Sequence, residues 1–344
     1  MPTNFAKIIA AVVLPWSAFE LILRLYGYVP PDNRTRVLLY PKFPAFYEPD
    51  PDFGWKLRPG LDWQGREMVV PFTTDSAGNR TTPGTNPEAA PEVVTVGDSS
   101  TFGYGAADAE SYPAALAQQL RATLGRPVEV RNLGVPGYTA HSARLIAEAN
   151  PAPAPVTLVM VGFNDHFPAD RSSTQEMWIR RAAYLCFSSR ACAFLFDKFV
   201  PPRAETRPPL VEYRPAVPLP NFQSDLIATA RNLKARGSVP IFLIYPSILS
   251  DEKTREAVAA FWKHPRALVD ANIDAHPTYQ ALTRTVAASE DVKVIDLAAI
   301  FDARGNEALH IDWVHPNAAG YRVIAEAVAP AVREALEAKA AGGG

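Results

Sequence analysis

The sequence predicts an α/β fold with a mostly parallel sheet, and three observations carry that expectation. Val93 to Val96, Val156 to Val161 and Val239 to Tyr245 are short apolar runs rich in β-branched residues, as strands covered on both faces require. Helical periodicity lies between them, so strand and helix alternate. Successive strands run into turns that contain glycine, and right-handed crossovers gather those turns at one edge, where open α/β sheets bind ligands.

Composition bounds the function. The 344 residues suffice for one large α/β domain with appendages or for two small domains. Lys and Arg number 34 against 36 Asp and Glu, which leaves no basic surplus for a nucleic-acid partner. Proline clusters at 41–59, 83–91, 151–155 and 201–220 and marks loops and linkers there. The two cysteines, Cys186 and Cys192, are too few for a four-ligand zinc site. They lie in one short segment and are either a local disulfide of an exported domain or two reduced thiols.

From Ile8 to Val29 the chain is mostly apolar. A bilayer span takes roughly 20 apolar residues, a length reached here only by tolerating Glu20 and Arg24, which stand one helical turn apart and can pair. No Ala-x-Ala-like cleavage site clearly follows, so residues 1–29 are expected to be an uncleaved signal anchor. The other reading is an amphipathic helix packed on the protein's own surface. Residues 30–91 form a Pro-rich, β-like preamble, with short strands at Trp55 to Leu57 and Met68 to Thr74.

Residues 92–338 make the main domain, and 339–344 a frayed tail. After the first strand come Gly97-Asp98-Ser99-Ser100-Thr101 and a helix, Ser111 to Leu124. A strand at Val128 to Arg131 precedes Asn132-Leu133-Gly134-Val135-Pro136-Gly137, and Thr139 is placed to cap a helix reaching Ala149. Strand Val156 to Val161 stops at Gly162-Phe163-Asn164-Asp165. An insertion at about 167–220 then carries one helix, Gln175 to Phe199, and is a substrate-shaping cap or a surface elaboration. Order resumes with helix Phe222 to Arg236, strand Val239 to Tyr245, helices Arg255 to Trp262 and Val269 to Ala288, strand Val292 to Leu297 and a final helix ending near Ala338.

Acyl transfer by serine needs a hydroxyl, an imidazole to take its proton, a group fixing the imidazole, and donors where the oxyanion develops. Ser99 supplies the first and His315 the second. Asp312, three residues before His315, shares a face with it in a helical turn and supplies the third. The Ser99 and Gly137 N–H groups and the Asn164 amide are the candidate donors. Asp296, at the end of the last strand, has poorer spacing for the triad acid, and His166 is expected on an exposed loop. The remaining histidines receive no role.

Gly97-Asp98-Ser99-Ser100-Thr101, Gly137, Gly162-Phe163-Asn164-Asp165 and Asp312-Trp313-Val314-His315 resemble the four blocks of the SGNH, or GDSL-like, hydrolase superfamily, in that family's order. The first block departs from Gly-Asp-Ser-Leu by a second serine. Gly137 is preferred to Gly134 because it holds the last position of the Asn-x-Gly-x-x-Gly pattern. Asp52 to Gly60 and Ser76 to Arg80 are also similar to an extension of some membrane-anchored bacterial members. The resemblance implies a three-layer α/β/α fold of flavodoxin type, esterase-like activity and no metal or organic cofactor. It implies Ser99 as nucleophile, His315 as general base and acid, Asp312 as its partner, and Ser99, Gly137 and Asn164 as the oxyanion hole.

The expected function is a serine ester hydrolase that removes a small acyl group, such as acetyl, from a cell-envelope carbohydrate or related ester. An O-acyltransferase using the same acyl-enzyme and a catalytically silent binding domain are the alternatives. The expected setting is bacterial, with the N-terminal helix in the membrane and the catalytic domain in the periplasm or outside the cell. A cytoplasmic protein is the other reading.

Overall fold

Runs that need cover on both faces become the strands of a central sheet. The computed structural model describes residues 3–29, 46–65, 70–149, 154–169, 171–199, 212–249, 252–262 and 265–342. Met68, His264 and the first part of the 201–220 linker fall outside them. The chain begins with α1 (Thr3–Leu25), β1 (Tyr47–Asp50), β2 (Gly54–Leu57), β3 (Asp62–Trp63) and β4 (Phe72–Thr73). It continues with β5 (Val93–Gly97), α2 (Ser99–Phe102), α3 (Tyr112–Leu124), β6 (Val130–Gly134), α4 (Ala140–Ala149) and β7 (Val156–Met160). Next are α5 (Ser173–Ser188), α6 (Arg190–Phe199), α7 (Leu219–Ala235), β8 (Val239–Ile244), α8 (Glu252–Trp262) and α9 (Arg266–Ser289). β9 (Lys293–Asp296), α10 (Leu297–Ala303) and α11 (Ala318–Gly342) complete it.

Two compact units result, one of residues 1–56 with 175–208 and a larger one of 57–174 with 209–344. These bounds cut across the expected preamble and insertion. The second half of the preamble belongs to the larger unit because Arg80 bridges both Thr74 and Asn132 of β6.

In the larger unit the sheet order is β6-β5-β7-β8-β9, every pair parallel. The chain steps from β5 to β6 on one side and then crosses to β7 on the other. With right-handed crossovers, that reversal sends α3 and α4 to opposite faces; α3 packs with α11 and α4 with α7. The reversal leaves a crevice beyond the carboxyl end of β5, directly before Ser99. β5 and β7 are buried along their whole length, and Val93, Leu158, Ile241 and Leu243 pack in the principal core.

Several local expectations shift. The strand expected at Val128 to Arg131 is β6, which runs on to Gly134 because its register with β5 pairs Gly97 with Gly134. Leu297 leaves the last strand and opens α10, whose start is capped by Asp296 through the Ala299 N–H at 3.1 Å. Asp296 also accepts from Arg284 at 2.7 Å, so its carboxylate is engaged away from His315.

In the smaller unit the single helix expected at Gln175 to Phe199 is broken at Ser189 into α5 and α6, and the Cys186–Cys192 disulfide spans the break. Glu20 pairs with Arg24 as expected, at 2.7 Å. Its carboxylate also accepts from the Ala191 N–H at 2.8 Å, the Arg190 N–H at 3.2 Å and the Ser189 hydroxyl at 2.9 Å, and so caps α6. The Ala191 N–H, aided by these partners, holds Glu20 down at about 2. No helix among the described residues is long and apolar enough to cross a membrane.

Candidate active site

Strand β5 ends in a turn that cannot carry side chains everywhere. A Cβ on Gly97 would overlap the Thr101 hydroxyl and the Met160 carbonyl. Asp98 follows, with its carboxylate accepting the Ser100 N–H at 3.0 Å and capping α2, so that Ser99 is presented half-buried at the sheet edge.

The partners expected for Ser99 come from the other end of the chain. Residues 311–314 form a bend rather than the helical turn that the spacing suggested. Asp312 Oδ1 accepts the Val314 N–H at 2.8 Å and the His315 N–H at 2.7 Å. This local ring turns Oδ2 to His315 Nδ1 at 2.7 Å, while His315 Nε2 lies 2.8 Å from Ser99 Oγ. A proton on Nδ1 satisfies the carboxylate and leaves the Nε2 lone pair for the serine hydroxyl. Burial alone would raise Asp312, but the hydrogen bond and charge of His315, with the two backbone N–H groups, hold it below the ordinary carboxylate value.

The predicted oxyanion donors are drawn to the same edge. Gly137 is exposed at φ +88°, whereas Gly134 is the buried last residue of β6, where a Cβ would overlap the backbone of Thr101 and Phe102. The Asn164 amide nitrogen lies 3.0 Å from the carbonyl of Tyr138, next to Gly137, and 3.3 Å from Asp98 Oδ2, next to Ser99. Asn164 thus touches the neighbours of both other donors. It is held by two protein acceptors rather than standing free.

Two carboxyls within these blocks, Asp98 and Asp165, were given no part in the chemistry expected from the sequence. Asp165 is fully buried and accepts the Ala140 N–H at 2.8 Å and the Gly162 N–H at 2.9 Å. It therefore takes the capping role expected of Thr139, whose hydroxyl has no hydrogen-bond partner among the described residues. Burial pushes Asp165 up to about 8. Asp98 is also fully buried, beside Tyr245 OH at 3.1 Å, and burial pushes it up to about 7. Their signal in the sequence is position alone: one precedes the serine and one follows the asparagine.

His166 departs from the expected exposed loop. It is fully buried, with Nδ1 2.7 Å from Asn272 Oδ1 and Nε2 2.9 Å from His276 Nδ1, and burial holds it down at about 4. The loop folds inward because Phe163, Tyr279 and His276 enclose the imidazole.

The chain matches the model of the GDSL-like lipase/acylhydrolase family over residues 95–323. No curated protein matches it. Among solved structures, it is similar to a lipase/acylhydrolase from Enterococcus faecalis, at 16% identity and a TM-score of 0.44, covering 71% of this chain and 96% of that one. A catalytic mutant of Axe2, an acetylxylan esterase from Geobacillus stearothermophilus, is 16% identical with a TM-score of 0.46 over 73% and 96%. A member of the lipolytic G-D-S-L family from Veillonella parvula is 18% identical with a TM-score of 0.42 over 70% and 96%. With more than half its length matched, and its parallel sheet flanked by helices, this chain belongs to the GDSL-like lipase/acylhydrolase family and is an ester hydrolase.

Proposed function

We propose that the protein cleaves small acyl esters through a Ser99-centred acyl-enzyme. The single observation that carries this reading is the continuous hydrogen-bonded line from Ser99 Oγ through His315 to Asp312. His315 Nε2 takes the hydroxyl proton as Ser99 attacks the ester carbonyl, then returns it to the departing alkoxide; water repeats the cycle to release the acid. The Ser99 and Gly137 N–H groups and the Asn164 amide take the oxyanion. For Asn164, the longer contact, with Asp98, is the one that yields a hydrogen to it.

The preferred substrate in this reading is an acetylated carbohydrate, and the smaller unit associates with a lipid surface through α1. The disulfide agrees with an oxidising, extracytoplasmic setting, and the exposed Val12, Leu14, Leu21 and Leu25 of α1 with a lipid partner. The test is p-nitrophenyl acetate turnover by wild type and Ser99→Ala, with fluorophosphonate labelling and mass mapping. Loss of turnover together with a label on Ser99 is expected. Equal turnover in both proteins, with no label on Ser99, would sink the reading.

A further inference from the structure

The fully buried guanidinium of Arg80 lies outside the residues that the family model matches, yet it grips the loop that leaves the nucleophile turn. Its Nη1 donates to the carbonyls of Phe102 at 2.8 Å and Gly103 at 2.6 Å, and its Nη2 to that of Ala106 at 2.6 Å. Its Nε donates to Asp108 at 3.0 Å, and its Cζ lies 4.5 Å from the centre of the Phe102 ring. Burying a cation is costly unless its donors are met. Here one side chain meets three carbonyls that the loop turns inward.

That loop carries Tyr104 between Gly103 at φ +95° and Gly105 at φ +76°. The left-handed conformation at both neighbours gives Tyr104 a direction that an ordinary turn lacks. Its carbonyl accepts from Tyr321 OH at 2.9 Å, and its ring lies on the imidazole of His315, with centroids 4.4 Å apart and planes at 32°. The loop also meets the other side of the triad, since a Cβ on Gly105 would overlap Ile311, the residue before Asp312.

We propose that Tyr104 and Arg80 are positioning residues of the triad: the ring covers one face of His315 and holds its plane toward Ser99, and Arg80 holds the ring there through the 102–106 loop. This rests on the serine-hydrolase reading given above. An uncovered imidazole can rotate about its side-chain bonds and admit water to its hydrogen bonds. An aromatic contact of this kind corresponds to about tenfold in rate. Lysine cannot replace Arg80, because an ammonium has no planar fork to reach three carbonyls and a carboxylate together.

The experiment uses the full chain and p-nitrophenyl acetate, with kcat and KM separated, fluorophosphonate inactivation rates, and thermal unfolding for each variant. Tyr104→Ala should lower kcat and the inactivation rate about tenfold, with KM and unfolding near wild type, whereas Tyr104→Phe should retain both rates. Arg80→Lys should lower kcat similarly, and the double variant should be no slower than Tyr104→Ala alone, because both changes remove one contact. Additive losses would overturn the link from Arg80. Wild-type rates in Tyr104→Ala would overturn the whole proposal, even if Arg80→Lys fails to fold. A wild type that carries no label on Ser99 refutes the hydrolase reading instead. A labelled wild type matched by Tyr104→Ala refutes only this inference.

Discussion

The two compact units treat apolar surface in opposite ways. In the larger one, strands β5, β7 and β8 bury their valines and isoleucines, all but the half-buried Val239, between helical layers. Among the described residues, every large apolar side chain left exposed belongs to the smaller unit, apart from Val294 and Ile311. Val12, Leu14, Leu25, Trp178 and Phe199 are examples. A parallel sheet with both faces covered closes its own core. The three described helices and the hairpin of the smaller unit do not, and it relies instead on a disulfide and the Glu20 cap. The difference teaches that chemistry and apolar exposure are segregated along the chain.

The largest effect should come from the triad. Ser99→Ala and His315→Ala are each expected to reduce turnover by about three orders of magnitude or more, with thermal unfolding unchanged. Residual activity near wild type would place the chemistry elsewhere and break the comparison. Asn164→Ala should cost roughly two to three orders of magnitude in kcat. Because the same amide ties Asp98 to Tyr138, kcat and unfolding are measured together on that variant. A change in unfolding alone would make Asn164 a scaffold.

In the smaller unit, Glu20→Gln should weaken the α1–α6 cap by about 1 kcal/mol, read as faster amide exchange at Arg190 and Ala191, while turnover stays at the wild-type level. The carboxyl is held below its ordinary value, so its contribution is present above about pH 4.5 and is lost as pH falls through about 2. Acid should therefore loosen this cap. An exchange rate that is flat between pH 5 and 2, after correction for intrinsic chemistry, would count against it.

The larger unit should show the reverse dependence. Asp98 and Asp165 are held above their ordinary value, at about 7 and about 8. Their contribution is complete below about pH 3.8 and is lost as pH rises through those values. Asp165→Asn should flatten part of the decline in urea midpoint between pH 5 and 9. An unchanged slope would mean that Asp165 is ionised at no cost.

Much of this was legible because it is local or periodic. The runs at Val93, Val156 and Val239 carry their own pattern of burial, and the two flanking turns place Ser99 and Asn164 wherever the sheet goes. Asp312 and His315 lie close enough in sequence to meet without help, although they do so through a bend and not a helix. What failed was also local in form. Thr139 looked like a cap, but Asp165, 25 residues beyond Ala140, takes the Ala140 N–H. His166 looked like a loop residue until α9 supplied Asn272 and His276.

By itself, then, the sequence determined the strand–helix alternation, the four blocks and the pairing of Asp312 with His315, because each depends on neighbours a few residues apart. Only the tertiary structure decided that Arg80 lies beneath the loop bearing Tyr104, that Asn164 is shared between Asp98 and Tyr138, and that Cys186 is bonded to Cys192. The first two join residues from separate strands and turns, whose partners are set by the order in which the sheet is assembled. For the cysteines, closeness in sequence left bonded and reduced states equally open, and the break between α5 and α6 brought the sulfurs together.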